Sequence, residues 1–101
     1  MANNLFVSYE LRRNAEARDA VLQLIHELGN SANVHGCLWY VQSTCSAKDV
    51  CDSLWAVMNP DDSLMVIDAT NINAAWQNVD SEVAQFILDH WSRYGRASGS
   101  R

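Results

Sequence analysis

The amino-acid sequence predicts a small α+β domain, a ferredoxin-like βαββαβ sandwich with one additional C-terminal helix. The chain begins with a β-rich segment, which is followed by apolar residues spaced with the period of a helix. Two short β-rich segments come next, then a second stripe of helical period, and then a fourth, apolar strand. The order strand, helix, two strands, helix, strand is the ferredoxin-like order. The chain has 101 residues, which predicts one domain over residues 1–101.

Both helices of this unit have recognisable ends. The first carries apolar residues at i, i+3, i+4 and i+7 from Val21, after a candidate cap at Asn14, and Gly29 follows where helices commonly stop. The second is predicted to begin at Ser46. Asp49 has capping-box spacing from it, with Asp in place of the usual Glu.

The remaining strands follow from short β-rich runs. Residues 5–11 are the first strand, and residues 32–35 and 37–42 are the second and third, separated by a bend at Gly36. Residues 63–69 are the fourth, and their nearly continuous hydrophobicity predicts burial on both faces. Right-handed crossovers place both helices on one face, so the additional helix or a second copy of the chain has to cover the other.

The C-terminal third is predicted from its polarity. Residues 71–78 indicate a loop, and Asp80 or Ser81 can cap a third helix. The Gly-, Ser- and Arg-rich residues 93–101 indicate a frayed tail. The apolar face of this additional helix consists of Val83, Phe86, Ile87 and Trp91.

Charge and cysteine content narrow the function classes. The formal net charge is −5 with only 7 Lys and Arg, which disfavours nucleic acid as a partner unless the two ends of the chain form a local basic patch. Neither a signal peptide nor a membrane-spanning segment is predicted, so we expect no membrane partner. Three cysteines, an odd number, indicate reduced thiols and therefore a soluble, cytoplasmic protein.

Three segments carry a family resemblance: residues 9–11 (YEL), 34–41 (VHGCLWYV) and 62–67 (DSLMVI). Over roughly residues 4–70 the chain resembles the CRISPR adaptation small-subunit family, and is closer to short stand-alone relatives outside CRISPR loci. The resemblance implies a ferredoxin-like homodimer. Some members are metal-dependent nucleases, and others are structural dimers that hold DNA beside an integrase.

The resemblance also singles out Glu10. In the active members an Asp at the end of the first strand helps bind a divalent metal, and each subunit of the dimer contributes one such Asp. Glu10 occupies the matching position in this chain. A Glu can bind Mg²⁺ or Mn²⁺ through oxygen, but it is one methylene longer, so its carboxylate is displaced. Glu10 is thus the candidate catalytic and metal-binding residue. The alternative is an exposed strand-end carboxylate beside Arg12.

Other titratable residues form no recognisable site. Asp68 lies in an apolar strand, but antiparallel pairing places it at the opposite end of the sheet from Glu10. His26, His35 and His90 share no spacing that builds a metal site, and His35 stands out only because it precedes the central bend. No Cys/His set predicts zinc.

The segment 71–78 is a candidate ligand-binding loop. Amides and an indole can recognise a base or nucleotide by hydrogen bonds and stacking, with Trp39 or Tyr40 lining a pocket at the dimer seam. The alternative is a crossover loop anchored by its single tryptophan. The candidate residues are Trp76, Asn73 and Asn78.

Three functions remain open. The favoured one is a non-catalytic homodimeric binding or regulatory module that acts through protein partners and uses no cofactor. Its support is the acidic charge, a Glu at the position of the family's Asp, and four tryptophans in a short chain. The alternatives are a Mg²⁺- or Mn²⁺-dependent endonuclease of RNA or DNA using Glu10, and a small-ligand binder of nucleotides.

Overall fold

The computed structural model describes residues 2–12, 15–70, 73–91 and 97–100. Four strands form an antiparallel sheet in the order β2-β3-β1-β4, which confirms the ferredoxin-like fold, and the helix after it confirms the C-terminal addition. In chain order the elements are β1 (Asn3–Glu10), α1 (Ala15–Leu28), β2 (Asn30–His35), β3 (Leu38–Ser43), α2 (Ala47–Trp55), β4 (Ser63–Asp68), β5 (Ala74–Gln77), α3 (Ser81–His90) and β6 (Ala97–Ser100).

One core lies between the sheet and the helices α1 and α2. Successive side chains of a strand point to opposite faces, so alternate residues of β1 meet the two helices. Burying each large aliphatic side chain stabilises the fold by about 1.5 to 3 kcal/mol. The buried cluster consists of Leu5, Val7, Tyr9, Val21, Ile25, Val41, Val50 and Leu54. Both helices therefore cover the same face, as the crossover rule predicts.

The helix ends follow the predicted signals. The Ser46 hydroxyl accepts a hydrogen bond from the Asp49 amide at 3.1 Å and so caps α2. Gly29 follows α1 where the backbone of β3 passes. A Cβ at Gly29 would lie 1.9 Å from the carbonyl oxygen of Gln42, so the site requires glycine. Asn14, the predicted cap of α1, lies outside the described residues.

The prediction that the fourth strand is buried on both faces is wrong. β4 is an edge strand that pairs only with β1 in the sheet, and Met65 and Ile67 are 61% and 49% exposed. Leu64 and Val66, which alternate with them along β4, pack against the core. A run of apolar residues indicates hydrophobic surface on both faces of a strand, but whether a layer covers the second face depends on the rest of the fold.

Two C-terminal predictions also need correction. The predicted loop over residues 71–78 contains β5, and the predicted frayed tail over residues 93–101 contains β6. The two strands pair in parallel, so each supplies the backbone hydrogen bonds that the other needs. Such pairing joins segments distant in sequence, and the composition of either one alone does not reveal it.

α3 covers part of the second sheet face. Tyr40 of β3 is fully buried there, with its ring 5.6 Å from that of Phe6 and stacked on Trp91 at 5.9 Å. Phe86 of α3 contacts the same ring edge-on. The Tyr40 hydroxyl donates a hydrogen bond to Asn4 Oδ1 at 3.0 Å. The additional helix thus covers the second face over β2 and β3, Trp91 after it contacts Phe6 of β1, and β4 is left open.

Burial of Tyr40 predicts a pH dependence of stability. Burial raises the pKa of Tyr40 from 10.0 to about 12. The unfolded chain loses this proton near pH 10.0 and the folded protein retains it, so the folded state binds more protons between these values. The free energy of unfolding should therefore fall as pH rises through this window, by about 1.4 kcal/mol per pH unit from this group.

Urea unfolding of the wild type and Tyr40→Phe across this pH range measures the effect. The variant lacks the titrating hydroxyl, so its stability should fall less steeply. Tyr9, whose pKa burial also raises, is common to both proteins and cancels in the comparison. Equal declines in the two proteins would contradict the prediction.

Candidate functional site

Glu10 lies at the end of β1, on the sheet face that α1 and α2 do not cover. It pairs with Ser63 of β4, and its Oε1 lies 2.8 Å from a guanidinium nitrogen of Arg12. The side chains of Glu10 and Arg12 are 64% and 59% exposed. An exposed, ion-paired carboxylate matches the simpler of the two sequence-based interpretations of Glu10.

A shallow depression of about 340 Å³ adjoins Glu10 and is bordered by Ser8, Tyr9, Ser63, Leu64 and Met65. The side chain of Tyr9 belongs to the buried core on the opposite sheet face, and burial raises its pKa, so its phenol is not a general base beside Glu10. Within the described ranges, no three His, Cys, Asp or Glu side chains lie close enough to hold one metal ion. Glu10 therefore belongs to no such cluster in this part of the chain.

Asp68 lies away from Glu10, as the antiparallel order predicts. It pairs with Leu5, whereas Glu10 pairs with Ser63, so the two acids are roughly 17 Å apart along the strands. The alternation of side chains also places them on opposite sheet faces. Asp68 Oδ1 accepts hydrogen bonds from the amide of Thr70, at 2.9 Å, and from its hydroxyl. Asp68 thus has a structural role at the strand end.

A second cavity, of about 380 Å³, lies between the sheet, β5 and the start of α3. Small-molecule sites commonly have volumes of roughly 300 to 1,000 Å³. We call it the Trp76 pocket. It is lined by Phe6, Val34, His35, Leu38, Ala74, Ala75, Trp76, Gln77, Asn78, Val79, Asp80 and Ile87.

The apolar part of the Trp76 pocket comes from the four-stranded sheet, from β5 with the turn after it, and from α3. Phe6 of β1 and Leu38 of β3 contribute the sheet, and the buried Ile87 contributes α3. Phe6 is held in place by its ring contacts with Tyr40 and Trp91. The apolar side is therefore fixed by the packing of the second core.

The polar part comes from the turn that joins β5 to α3. Asn78 adopts a left-handed conformation, with φ 56°, which Asn tolerates better than most residues. Asp80 caps α3, and its Oδ1 accepts a hydrogen bond from the Glu82 amide at 2.9 Å. The turn thus brings two polar side chains to the pocket on a defined backbone.

Four polar side chains of the Trp76 pocket have unused hydrogen-bonding capacity. None of them bonds to another side chain or backbone group of the described residues, and the indole has no ring partner there. Amides elsewhere are engaged: Asn30 donates to Gln42 at 2.9 Å, and Gln42 donates to the carbonyl of His90 at 2.8 Å. The four side chains are those of His35, Trp76, Gln77 and Asn78.

The predicted ligand-binding residues are only partly assembled. Trp76 and Asn78 line the pocket, whereas Asn73 is exposed and does not belong to the lining. Tyr40 is buried beneath α3, and Trp39 lies on the other sheet face with its ring 5.4 Å from His26. Neither Trp39 nor Tyr40 contributes to the pocket.

Sequence reasoning missed part of the lining. The sequence predicts that Phe6 and Leu38 lie in strands and that Asp80 can cap a helix, but it predicts no binding role for these residues. Phe6 offered a signal, because a large aromatic on the strand face opposite the main core indicates a second covered face. His35, singled out by its place before the bend, does line the pocket.

Cys37, Cys45 and Cys51 are free thiols. Of the helices that the structure describes, none has the length and apolar character needed to cross a bilayer.

Substitutions of the two acids that contact Arg12 should differ in their effect on the free energy of unfolding. Glu10→Gln removes an exposed ion pair and should lower the free energy of unfolding by less than about 1 kcal/mol. Asp62 is buried and accepts hydrogen bonds from the amides of Arg12, at 2.9 Å, and Asn59, at 2.8 Å. In Asp62→Asn one acceptor oxygen becomes an amide nitrogen, so we expect a loss of about 1.5 to 3 kcal/mol.

Urea denaturation of both variants and the wild type tests this contrast. Each substitution removes one negative charge near Arg12, so the change in net charge is matched. A larger loss in Glu10→Gln than in Asp62→Asn would mean that the Glu10 carboxylate has a structural role that its exposure does not indicate.

The structure brings Trp76 and Asn78 together with His35 and separates them from Glu10, which lies on another part of the same sheet face. Two candidate sites result, the Glu10 depression and the Trp76 pocket. Comparisons of the chain with protein-family models, curated proteins and solved structures found no match, so the resemblance to the CRISPR adaptation small-subunit family stays a prediction from the sequence.

Proposed function

We propose that the protein is a non-catalytic binding module that works as a homodimer and acts through a protein partner. The observation that carries the proposal is the open surface of β4. Met65 and Ile67 lie side by side there on an edge strand, on a sheet face that α3 leaves uncovered. Exposed apolar surface of this kind commonly marks an interaction site.

A second copy of the chain fits this surface. No strand among the described residues pairs with the outer edge of β4, so its backbone N–H and C=O groups are available to another strand. A second β4 can pair with it antiparallel about a two-fold axis, which gives a closed dimer with identical contacts on both sides. Met65 and Ile67 of both copies would then form one continuous apolar strip.

This dimer supports a non-catalytic role. Glu10 lies beside Ser63, at the first residue of β4. In an antiparallel pair of β4 strands, the two Glu10 carboxylates lie at opposite ends, roughly 17 Å or more apart. A shared metal ion requires ligands about 2.0 to 2.6 Å from its centre, so these two carboxylates would not bind one ion.

Charge supports a protein partner with a basic surface. The net charge is −5, and two of the described basic side chains, those of Arg12 and Lys48, are already paired with acids. A net negative field attracts basic surfaces and repels a phosphate backbone. Free thiols at all three cysteines fit the predicted cytoplasmic setting.

Size-exclusion chromatography with light scattering tests the dimer. The wild type should elute as a dimer, and Ile67→Lys should elute as a monomer because a charge on an edge strand blocks strand pairing. Leu88→Lys is the matched control, since Leu88 is 44% exposed on α3, away from β4. A monomeric wild type, or equal effects of both substitutions, would contradict the proposal.

A nuclease assay tests the catalytic alternative. We expect no cleavage of single- or double-stranded RNA or DNA that depends on Mg²⁺ or Mn²⁺ and disappears in Glu10→Ala. Glu82→Ala, at an exposed acid of α3, controls for the loss of one charge. Metal-dependent cleavage that Glu10→Ala abolishes and Glu82→Ala preserves would replace the present proposal with a metal-dependent nuclease.

A further inference from the structure

The Trp76 pocket has the construction of a ligand site that the proposed dimer does not use. None of its lining residues belongs to β4, and Glu10 borders a different depression. Apolar residues of the sheet, β5 and α3 form most of the lining, and the turn after β5 contributes the polar residues Asn78 and Asp80. Small-molecule sites typically combine an apolar enclosure with a few such polar groups.

The side chains around the pocket suit a planar ring. The indole of Trp76 is half-buried and stacks on no other described ring, so its face is available to a ligand. Phe6 supplies a second aromatic surface within the same cavity. Stacking on aromatic side chains is the usual way in which proteins hold an isolated base.

The polar groups suit the edge of a ring that carries both donors and acceptors. The side chain of Asn78 offers an amide with a donor and an acceptor, a pair that matches adjacent groups on a base edge. Asp80 Oδ1 caps α3, while its Oδ2 accepts no hydrogen bond from another described residue. A free carboxylate oxygen is a natural acceptor for an exocyclic amino group.

The charge of the lining argues against a phosphate. No Lys or Arg is among the lining residues, and the acidic residue Asp80 borders the cavity. A phosphorylated ligand would meet this negative charge with no basic group of the lining to balance it. The lining therefore favours an uncharged ligand over a nucleotide.

We propose that the Trp76 pocket binds a free nucleobase or nucleoside that carries an exocyclic amino group, such as adenosine or cytidine. Trp76 stacks on the ring, the amide of Asn78 bonds its edge, and Asp80 Oδ2 accepts from the amino group. The expected order of affinity is adenosine or cytidine first, then uridine, which lacks the amino group, and adenosine monophosphate last.

Isothermal titration calorimetry tests the proposal: the full chain is titrated with adenosine, cytidine, uridine and adenosine monophosphate. Trp76→Ala should weaken adenosine binding on the order of tenfold, and Trp76→Phe should retain most of it because a ring remains. Trp55→Ala is the matched control, since Trp55 is 43% exposed on α2 and outside the pocket. Circular dichroism shows whether each variant keeps the native fold.

Two further variants separate the polar contacts. Asn78→Gly removes the amide but allows the left-handed backbone, and it should weaken adenosine binding severalfold. Asp80→Asn retains a helix cap while removing the charge. It should improve binding of adenosine monophosphate relative to adenosine by on the order of fivefold.

Three results would overturn the proposal: no binding of either amino-bearing nucleoside up to its solubility limit, equal binding by a folded Trp76→Ala variant, or tighter binding of the monophosphate than of adenosine by the wild type. The lining includes no residue of β4, so Ile67→Lys should bind adenosine as the wild type does. Failure of the dimer and failure of the ligand site are therefore distinguishable.

Discussion

The structure depends on the central strand β1, which has to fill two packing layers with one alternating run of side chains. Leu5 and Val7 enter the core beneath α1 and α2, and Phe6 between them enters the second core beneath α3. The two packing layers lie on opposite faces of this strand, so a one-residue change of register would move large apolar side chains into the wrong layer. The ladders to β3 and β4 hold that register on both sides.

The second layer is incomplete, and both candidate sites follow from this. α3 packs over β2 and β3, where Phe86 contacts Tyr40, and Trp91 after the helix stacks on Tyr40, while β4 stays uncovered. Where the cover ends at β4, apolar side chains meet solvent, which is a liability for an edge strand unless another chain covers it. At the start of α3, the turn from β5 stands away from the sheet and leaves a cavity.

The chemistry of the two sites is different in kind. The Glu10 depression has one exposed carboxylate paired with Arg12, and the buried phenol of Tyr9 lies on the opposite sheet face. The Trp76 pocket has several hydrogen-bonding groups that the fold does not use for itself. Groups left without protein partners beside an aromatic face are better suited to recognition than to bond cleavage.

By itself the sequence determined the order of the main elements, because their signals are local. Apolar residues recur with the period of a strand or of a helix, and helix ends are marked by the Ser46 cap and by Gly29. It also indicated that Glu10 and Asp68 lie apart, since that follows from antiparallel order alone. Only the tertiary structure decided that β4 is half exposed, that β5 pairs with β6, and that Trp76 and Phe6 line one cavity. These features depend on contacts between segments far apart in the chain, for which no local pattern of residues carries a signal.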